Sequence, residues 1–319
     1  AQVDRDTGDR QLIPDARTAR RFTRASPACT MRSFDRPRGG ALSASDAKAF
    51  RAACIQLNSG NDPQANLETV RRLARAAAAG ADFLLLPEYA LLLDGSGRVM
   101  RERAFDAEGG EALAALQALA AELGKWLLVG SLTVRTDEAR IANRSYLLSS
   151  DGGVVATYDK IHMFDATLPD GTVIRESSAY RPGAHAIIAD IPWGRIGLTV
   201  CYDLRFPALF RSLAQAGAQF ITVPSSFQRQ TGSAHWHALL RARAIENGCY
   251  ILAPAMCGDH PGRRQTYGHS LIVDPWGEIL AEAGEDVGVV YADIEPARVA
   301  RVRGMIPSLE HDRSFALSA

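Results

Sequence analysis

Three polar side chains in this 319-residue chain stand just past apolar runs of strand length: Glu88, Lys160 and Cys201. A carboxylate, an amine and a thiol together suit nucleophilic acyl chemistry. A free thiol ionises near pH ~8.5, so attack at neutral pH needs a base or a nearby cation. Attack on a carbonyl also needs positive charge or N–H donors where the oxyanion develops. Strand ends are where α/β folds place their sites, so the shared position links residues that are far apart in sequence. Alone, Glu88 reads as a solvated loop residue and Lys160 as a surface charge.

Cys201 is the most informative of the three. Ile196 to Val200 is an apolar, β-branched run, the pattern of a buried strand. Pro207 suits the first position of a helix, where its missing N–H has no partner to lose. Leu209, Phe210, Leu213 and Ala214 keep helical spacing, and Gly217 ends the helix. Cys201 therefore sits on the bend between strand and helix, where backbone N–H groups face the space beyond the sheet. A buried structural cysteine is the plain alternative. The polar residues crowded just past the strand, Tyr202, Asp203 and Arg205, argue for a reactive one.

The elements that must position these residues alternate early and pair later. Ala52 to Leu57 reads as a strand, and Asp62-Pro63 as the cap and first residue of a helix reaching about Ala79. Ala81 to Leu86 is a buried strand ending at Pro87-Glu88. A helix from about Glu111 to Leu123 leads to a strand from Trp126 to Gly130. Residues 143–149 and 154–158 form a hairpin across Asp151-Gly152-Gly153, and residues 184–191 and 196–200 form another. A strand at Phe220 to Val223, a polar loop and a helix from about His235 to Glu246 follow. Four further strands and a short helix holding Val299 and Val302 close the chain. Residues 80–87 match residues 217–224 at Gly, Ala, Phe and Pro, each stretch after an Ala-rich helix. The repeat implies two similar layered halves packed face to face. The expected class is α/β, two stacked mixed sheets with helices outside, an α-β-β-α sandwich.

Composition removes other classes. The formal net charge is zero, which argues against nucleic acid or an anionic membrane as the main partner. No apolar run approaches the ~20 residues of a membrane span. Five cysteines without a CxxC pair argue against a disulfide framework or a zinc site and for a reducing, cytoplasmic compartment. His235 and His237 are two apart on a helix, so they point to different faces, and no carboxylate or Cys ligand set accompanies them. No metal and no cofactor is expected. Residues 1–47 hold nine arginines among Asp, Thr, Ser and Pro and read as a mobile extension. The folded domain is expected over 48–310 and a tail over 311–319.

Leu86-Pro87-Glu88-Tyr89, the stretch from Tyr158 to Asp165 around Lys160, and the stretch from Gly197 to Pro207 around Cys201 resemble the three motifs of the nitrilase superfamily of carbon–nitrogen hydrolases. They occur in the family's order, and the similarity covers about residues 50–310. The resemblance implies the layered sandwich fold, a homodimer or higher oligomer, and a small-molecule amide substrate. It makes Cys201 the nucleophile, Glu88 the general base and Lys160 the stabiliser of the oxyanion; burial near Cys201 should raise the Glu88 pKa, and the Tyr202 N–H offers a second donor. Glu176 matches a second glutamate of amidase-type members and is expected to position substrate and hold Lys160. Pro224 to Phe227, Thr231 to Trp236, Leu240 to Asn247 and Tyr267 to Ser270 resemble the Nit amidase branch, closest to deaminated glutathione amidases. The sister ω-amidases favour Trp where Tyr267 stands. That implies hydrolysis of a carboxylate-bearing amide, deaminated glutathione to 2-oxoglutarate and cysteinylglycine, with ω-amidase activity on 2-oxoglutaramate as the alternative. Phe227, Thr231 and Arg205 join Tyr202 as the expected substrate-binding set. Arg205 either takes a substrate carboxylate or pairs structurally with Asp203 or another acid. The family often has Glu where Ala208 stands, a departure expected to loosen support behind the bend.

Overall fold

The computed structural model describes residues 48–136 and 140–318. The extension expected at residues 1–47 lies outside the described residues. The first half runs β1 (Phe50–Gln56), α1 (Pro63–Ala78), β2 (Phe83–Leu85), α2 (Gly97–Glu102), α3 (Gly110–Leu123), β3 (Trp126–Arg135), β4 (Ile141–Leu148) and β5 (Val154–Asp159). A small hairpin, β6 (Asp165–Thr167) and β7 (Val173–Arg175), leads to β8 (Ile187–Ile191) and β9 (Gly194–Leu198). Then come α4 (Pro207–Gln215), β10 (Phe220–Thr222), α5 (Arg229–Asn247) and β11 (Tyr250–Ala253). A second hairpin, β12 (Cys257–His260) and β13 (Arg264–Tyr267), precedes β14 (Leu271–Val273), β15 (Ile279–Glu282), β16 (Gly288–Ile294) and α6 (Pro296–Met305).

Two six-stranded sheets form, ordered β16-β1-β2-β3-β4-β5 and β8-β9-β10-β11-β14-β15. Read in those directions the two have the same pairing sense throughout: antiparallel, parallel, parallel, antiparallel, antiparallel. β2 and β10, the strands of the repeated stretch, occupy equivalent places. The repeat is thus one sheet design used twice.

Alternation along the strands sets the layers. Phe50, Ala52 and Cys54 of β1 turn inward onto a core shared with Ile196, Leu198, Phe220 and Leu252 of the other sheet. Ala53 and Ile55 turn outward onto Leu67, Val70 and Leu73 of α1 and Leu116 of α3. Trp236, Leu240 and Ala244 of α5 and Phe210 of α4 cover the opposite side. The layering is helix, sheet, sheet, helix. Trp193, on the turn between β8 and β9, stacks on Phe50 at 4.3 Å and meets Trp126 edge-on at 6.2 Å. That aromatic cluster pins one sheet to the other.

Local signals explain most boundaries. The Asp62 side chain accepts hydrogen bonds from the Gln64 and Ala65 N–H groups at the start of α1, as an N-cap does. The helix expected from His235 begins earlier, at Arg229. Thr231, Gly232 and Ser233 are weak helix formers, but Gly232 is dictated by packing. A Cβ there would stand 2.4 Å from the Tyr267 Cβ. Past α6, Asp312 binds the Arg211 guanidinium at 2.8 Å and fastens the chain end to α4.

Candidate active site

Each strand that feeds the site ends in an irregular turn. Cys201 follows β9 and opens a 3-10 turn over Cys201–Arg205, just before α4. Its φ is +51°, and Tyr89, next to Glu88, has φ +60°. Left-handed backbone in non-glycine residues is strained and persists where surrounding structure fixes it. The Cys201 N–H donates to the Pro224 carbonyl at 3.0 Å, and the Tyr89 N–H donates to Ser131 Oγ at 2.9 Å.

Glu88 is 1% exposed, and both of its oxygens are engaged. Oε1 accepts from Asn143 Nδ2 at 2.8 Å and Lys160 Nζ at 3.1 Å; Oε2 accepts from the Ser226 N–H at 2.9 Å. Cys201 lines the same cavity as this carboxylate. Lys160, 2% exposed, also reaches Glu176, with Nζ 2.9 Å from both oxygens. Glu176 is held in turn by the Tyr89 hydroxyl at 3.0 Å and the Phe164 N–H at 2.5 Å. An ammonium between two carboxylates compensates the burial of charge.

Burial pushes the Glu88 carboxyl up, but the Lys160 ammonium, the Arg264 guanidinium and the bond from Asn143 outweigh it. The carboxyl is held below the ordinary glutamate value. This corrects the sequence-based expectation of a raised pKa, which considered burial without its compensating cations. Burial opposes the charge on Lys160, yet Glu176 and then Glu88 raise it above the ordinary lysine value. Burial and the Glu88 charge push the Cys201 thiol well up. The resting site holds carboxylate, ammonium and neutral thiol.

Asp203 ties this turn to the strand that carries Lys160. Its Oδ2 accepts from the Val200 N–H at 2.8 Å and the Tyr158 hydroxyl at 2.7 Å. Its Oδ1 accepts from the His162 N–H at 3.1 Å and lies 2.7 Å from His162 Nδ1. His162 stacks on Phe206 at 3.5 Å. Asp203 is therefore not the partner of Arg205. Among the described residues Arg205 makes no ion pair with an acid. Its Nη2 lies 3.3 Å from His235 Nδ1, and its guanidinium lies over the Tyr202 and Phe227 rings at 5.8 and 5.5 Å.

These residues meet in a cavity of about 390 Å³. Glu88, Lys160, Cys201 and Glu176 line it, and so do Tyr202, Arg205, Phe227 and Thr231. In the first turn of a helix the N–H groups have no intrahelical acceptor, which is the position of Tyr202. Ala208 is exposed in the first turn of α4. Sequence reading missed Asn143, Ser226 and Arg264. The 80–87 and 217–224 repeat was the available signal for Ser226: it makes residues 225–226 the counterparts of Glu88 and Tyr89 at the other sheet's strand end.

The carbon–nitrogen hydrolase family model matches residues 51–304. A Yersinia enterocolitica protein named deaminated glutathione amidase is 40% identical over 269 residues, covering 83% of this chain and 94% of its own length. A human protein of the same name is 41% identical over 286 residues, covering 87% and 86%. Among solved structures, the Caenorhabditis elegans NitFhit protein superposes with a TM-score of 0.79 at 35% identity, over 84% of this chain and 66% of that one.

Proposed function

The chain belongs to the carbon–nitrogen hydrolase family, and on that premise we propose that Cys201, Glu88 and Lys160 hydrolyse the amide of deaminated glutathione. One observation supports this above the rest: Cys201 lines one cavity with a buried carboxylate–ammonium pair, Lys160 Nζ standing 3.1 Å from Glu88 Oε1.

Glu88 takes the thiol proton as the sulfur attacks the amide carbonyl. The oxyanion that forms is met by Lys160 Nζ and the Tyr202 N–H. Glu88 passes the proton to the departing amine nitrogen, the C–N bond breaks, and cysteinylglycine leaves. The 2-oxoglutaryl group remains on Cys201 as a thioester. Glu88 then takes a proton from water, whose oxygen attacks the thioester; the thiolate recovers that proton and 2-oxoglutarate is released. Glu176 positions Lys160 and, through it, the oxyanion charge. Arg205, without an acidic partner among the described residues, receives a substrate carboxylate beside Phe227 and Thr231. The site belongs to a cytoplasmic enzyme working as a homodimer or larger homo-oligomer. Support for a reducing setting comes from Cys54, Cys201, Cys249 and Cys257, all free thiols. Among the described residues no helix is long and apolar enough to cross a membrane.

Turnover of deaminated glutathione and 2-oxoglutaramate by one preparation tests the substrate. A higher kcat/KM for deaminated glutathione is expected, and a strong preference for 2-oxoglutaramate overturns the assignment. A folded Cys201→Ala protein should be inactive; one that turns over substrate overturns the nucleophile.

A further inference from the structure

Away from the cavity floor, three elements bring together a second chemical cluster. His237 on α5, His269 before β14 and Glu282 at the end of β15 place their ligating atoms within 4.8 Å of one another. His237 Nε2 is 2.8 Å and His269 Nδ1 2.9 Å from Glu282 Oε1. From sequence, no metal was expected because His235 and His237 diverge and no carboxylate or Cys ligand set accompanies them. They do diverge, but His237 turns to a histidine and a carboxylate from distant segments.

Several features fix this arrangement. His269 has φ +54°, strained for a residue with a side chain. Its carbonyl accepts from Trp236 Nε1 at 2.7 Å, its N–H donates to the Gly284 carbonyl at 3.1 Å, and its ring stacks on Tyr267 at 4.3 Å. His237 meets the Tyr267 ring edge-on at 6.1 Å. Among the described residues no lysine or arginine pairs with Glu282, so two imidazoles are its only charge partners. Two imidazoles and one carboxylate converging within 4.8 Å are a donor set that suits a cation. The side chains of His237, His269 and Glu282 are 31%, 20% and 36% exposed, which leaves solvent access on one side.

We propose that His237 Nε2, His269 Nδ1 and a Glu282 carboxylate oxygen form a binding site for a divalent transition ion of the zinc class, with water completing its coordination. Two imidazoles and one carboxylate suit zinc, cobalt, nickel or copper and not the all-oxygen preference of calcium or magnesium. Binding needs the lone pairs of His237 Nε2 and His269 Nδ1 to face the ion, with hydrogen on His237 Nδ1 and His269 Nε2. Bond lengths of ~2.1 Å in a tetrahedral site separate donor atoms by about 3.4 Å. His237 Nε2 and His269 Nδ1 therefore each move about half an ångström away from Glu282 Oε1. Such an ion staples α5 to the edge of its sheet. It also bears on the cavity rim, because the Tyr267 N–H donates to the Phe227 carbonyl at 3.0 Å.

The test is a zinc titration of the full chain against a chromophoric chelator, with Cys201→Ala as the background so that the cavity thiol is not a ligand. One ion per chain at micromolar affinity or tighter is expected. His237→Ala and Glu282→Gln should each weaken binding at least about tenfold, since loss of a ligand should weigh no less than loss of an outer-shell partner. Both should melt where the metal-free parent does, and zinc should raise the melting temperature of the parent alone. The cobalt-loaded protein should show bands of a nitrogen and oxygen site without thiolate-to-cobalt charge transfer. No bound ion, binding unchanged in both variants, or a thiolate band overturns the site.

Discussion

At the scale of single residues, the proposed chemistry depends on the ionisation of a buried trio. Glu88 was legible as a strand-end carboxylate, but its pKa direction was not, because the sequence does not show that Lys160 and Arg264 face it. The depressed value has a consequence with a definite sign. The stability contributed by the Glu88 carboxylate is present above the ordinary glutamate value and is lost as pH falls through the lower folded value. The raised Lys160 contributes below the ordinary lysine value and is lost as pH rises through its folded value. For a base already ionised, kcat/KM should stay flat from neutrality down to about pH 5, with the acid limb below the ordinary ~4.3 of glutamate. A pH–rate profile on protein shown to be folded by circular dichroism checks this. An acid limb centred between about 6 and 7 would mean that burial wins and Glu88 rests protonated.

At the scale of elements, the strand, bend and helix around Cys201 were readable from β-branched residues, Pro207 and helical spacing. What the turn rests on was not. Asp203 is four residues from a helix in sequence terms, yet its bonds to Tyr158 and His162 flank Lys160 on another sheet. Replacing it by Asn turns an acceptor into a donor facing N–H or O–H groups. Asp203→Asn should cost about 2–3 kcal/mol in urea denaturation and lower kcat far more than it changes KM; a loss confined to KM would show that the turn does not set the nucleophile. The start of α5 was misread because Gly232 looks like a loop residue, when Tyr267 is the reason for it. Ala in place of Gly ordinarily stabilises a helix by ~1 kcal/mol. Here the added Cβ meets the Tyr267 Cβ, so Gly232→Ala should destabilise by about 1–3 kcal/mol and raise KM through the adjoining rim. A stabilised variant with unchanged KM would contradict that contact.

At the scale of the whole molecule, the 80–87 and 217–224 repeat foretold two equivalent halves, and the matching strand orders are its fulfilment. The sequence does not state which faces meet, because the alternation along β1 is apolar on both sides and only the partner layers distinguish them. Trp193 joins the halves from a turn, where an aromatic residue gives no periodic signal. Trp193→Ala should cost about 2–3 kcal/mol, below the 3–5 of a fully buried Trp, while kcat of the folded fraction is retained. Urea denaturation with parallel assays checks both; an unchanged midpoint would remove Trp193 from the join between sheets. Glu88 and Cys201 come from opposite sheets, so covalent chemistry at the sulfur reports directly that the halves meet in a working site. Rapid quenching during turnover of deaminated glutathione, followed by peptide mass spectrometry, should find a 2-oxoglutaryl group on the peptide holding Cys201 and on no other. Turnover with that peptide unmodified, or with the acyl group on a different residue, would contradict the account.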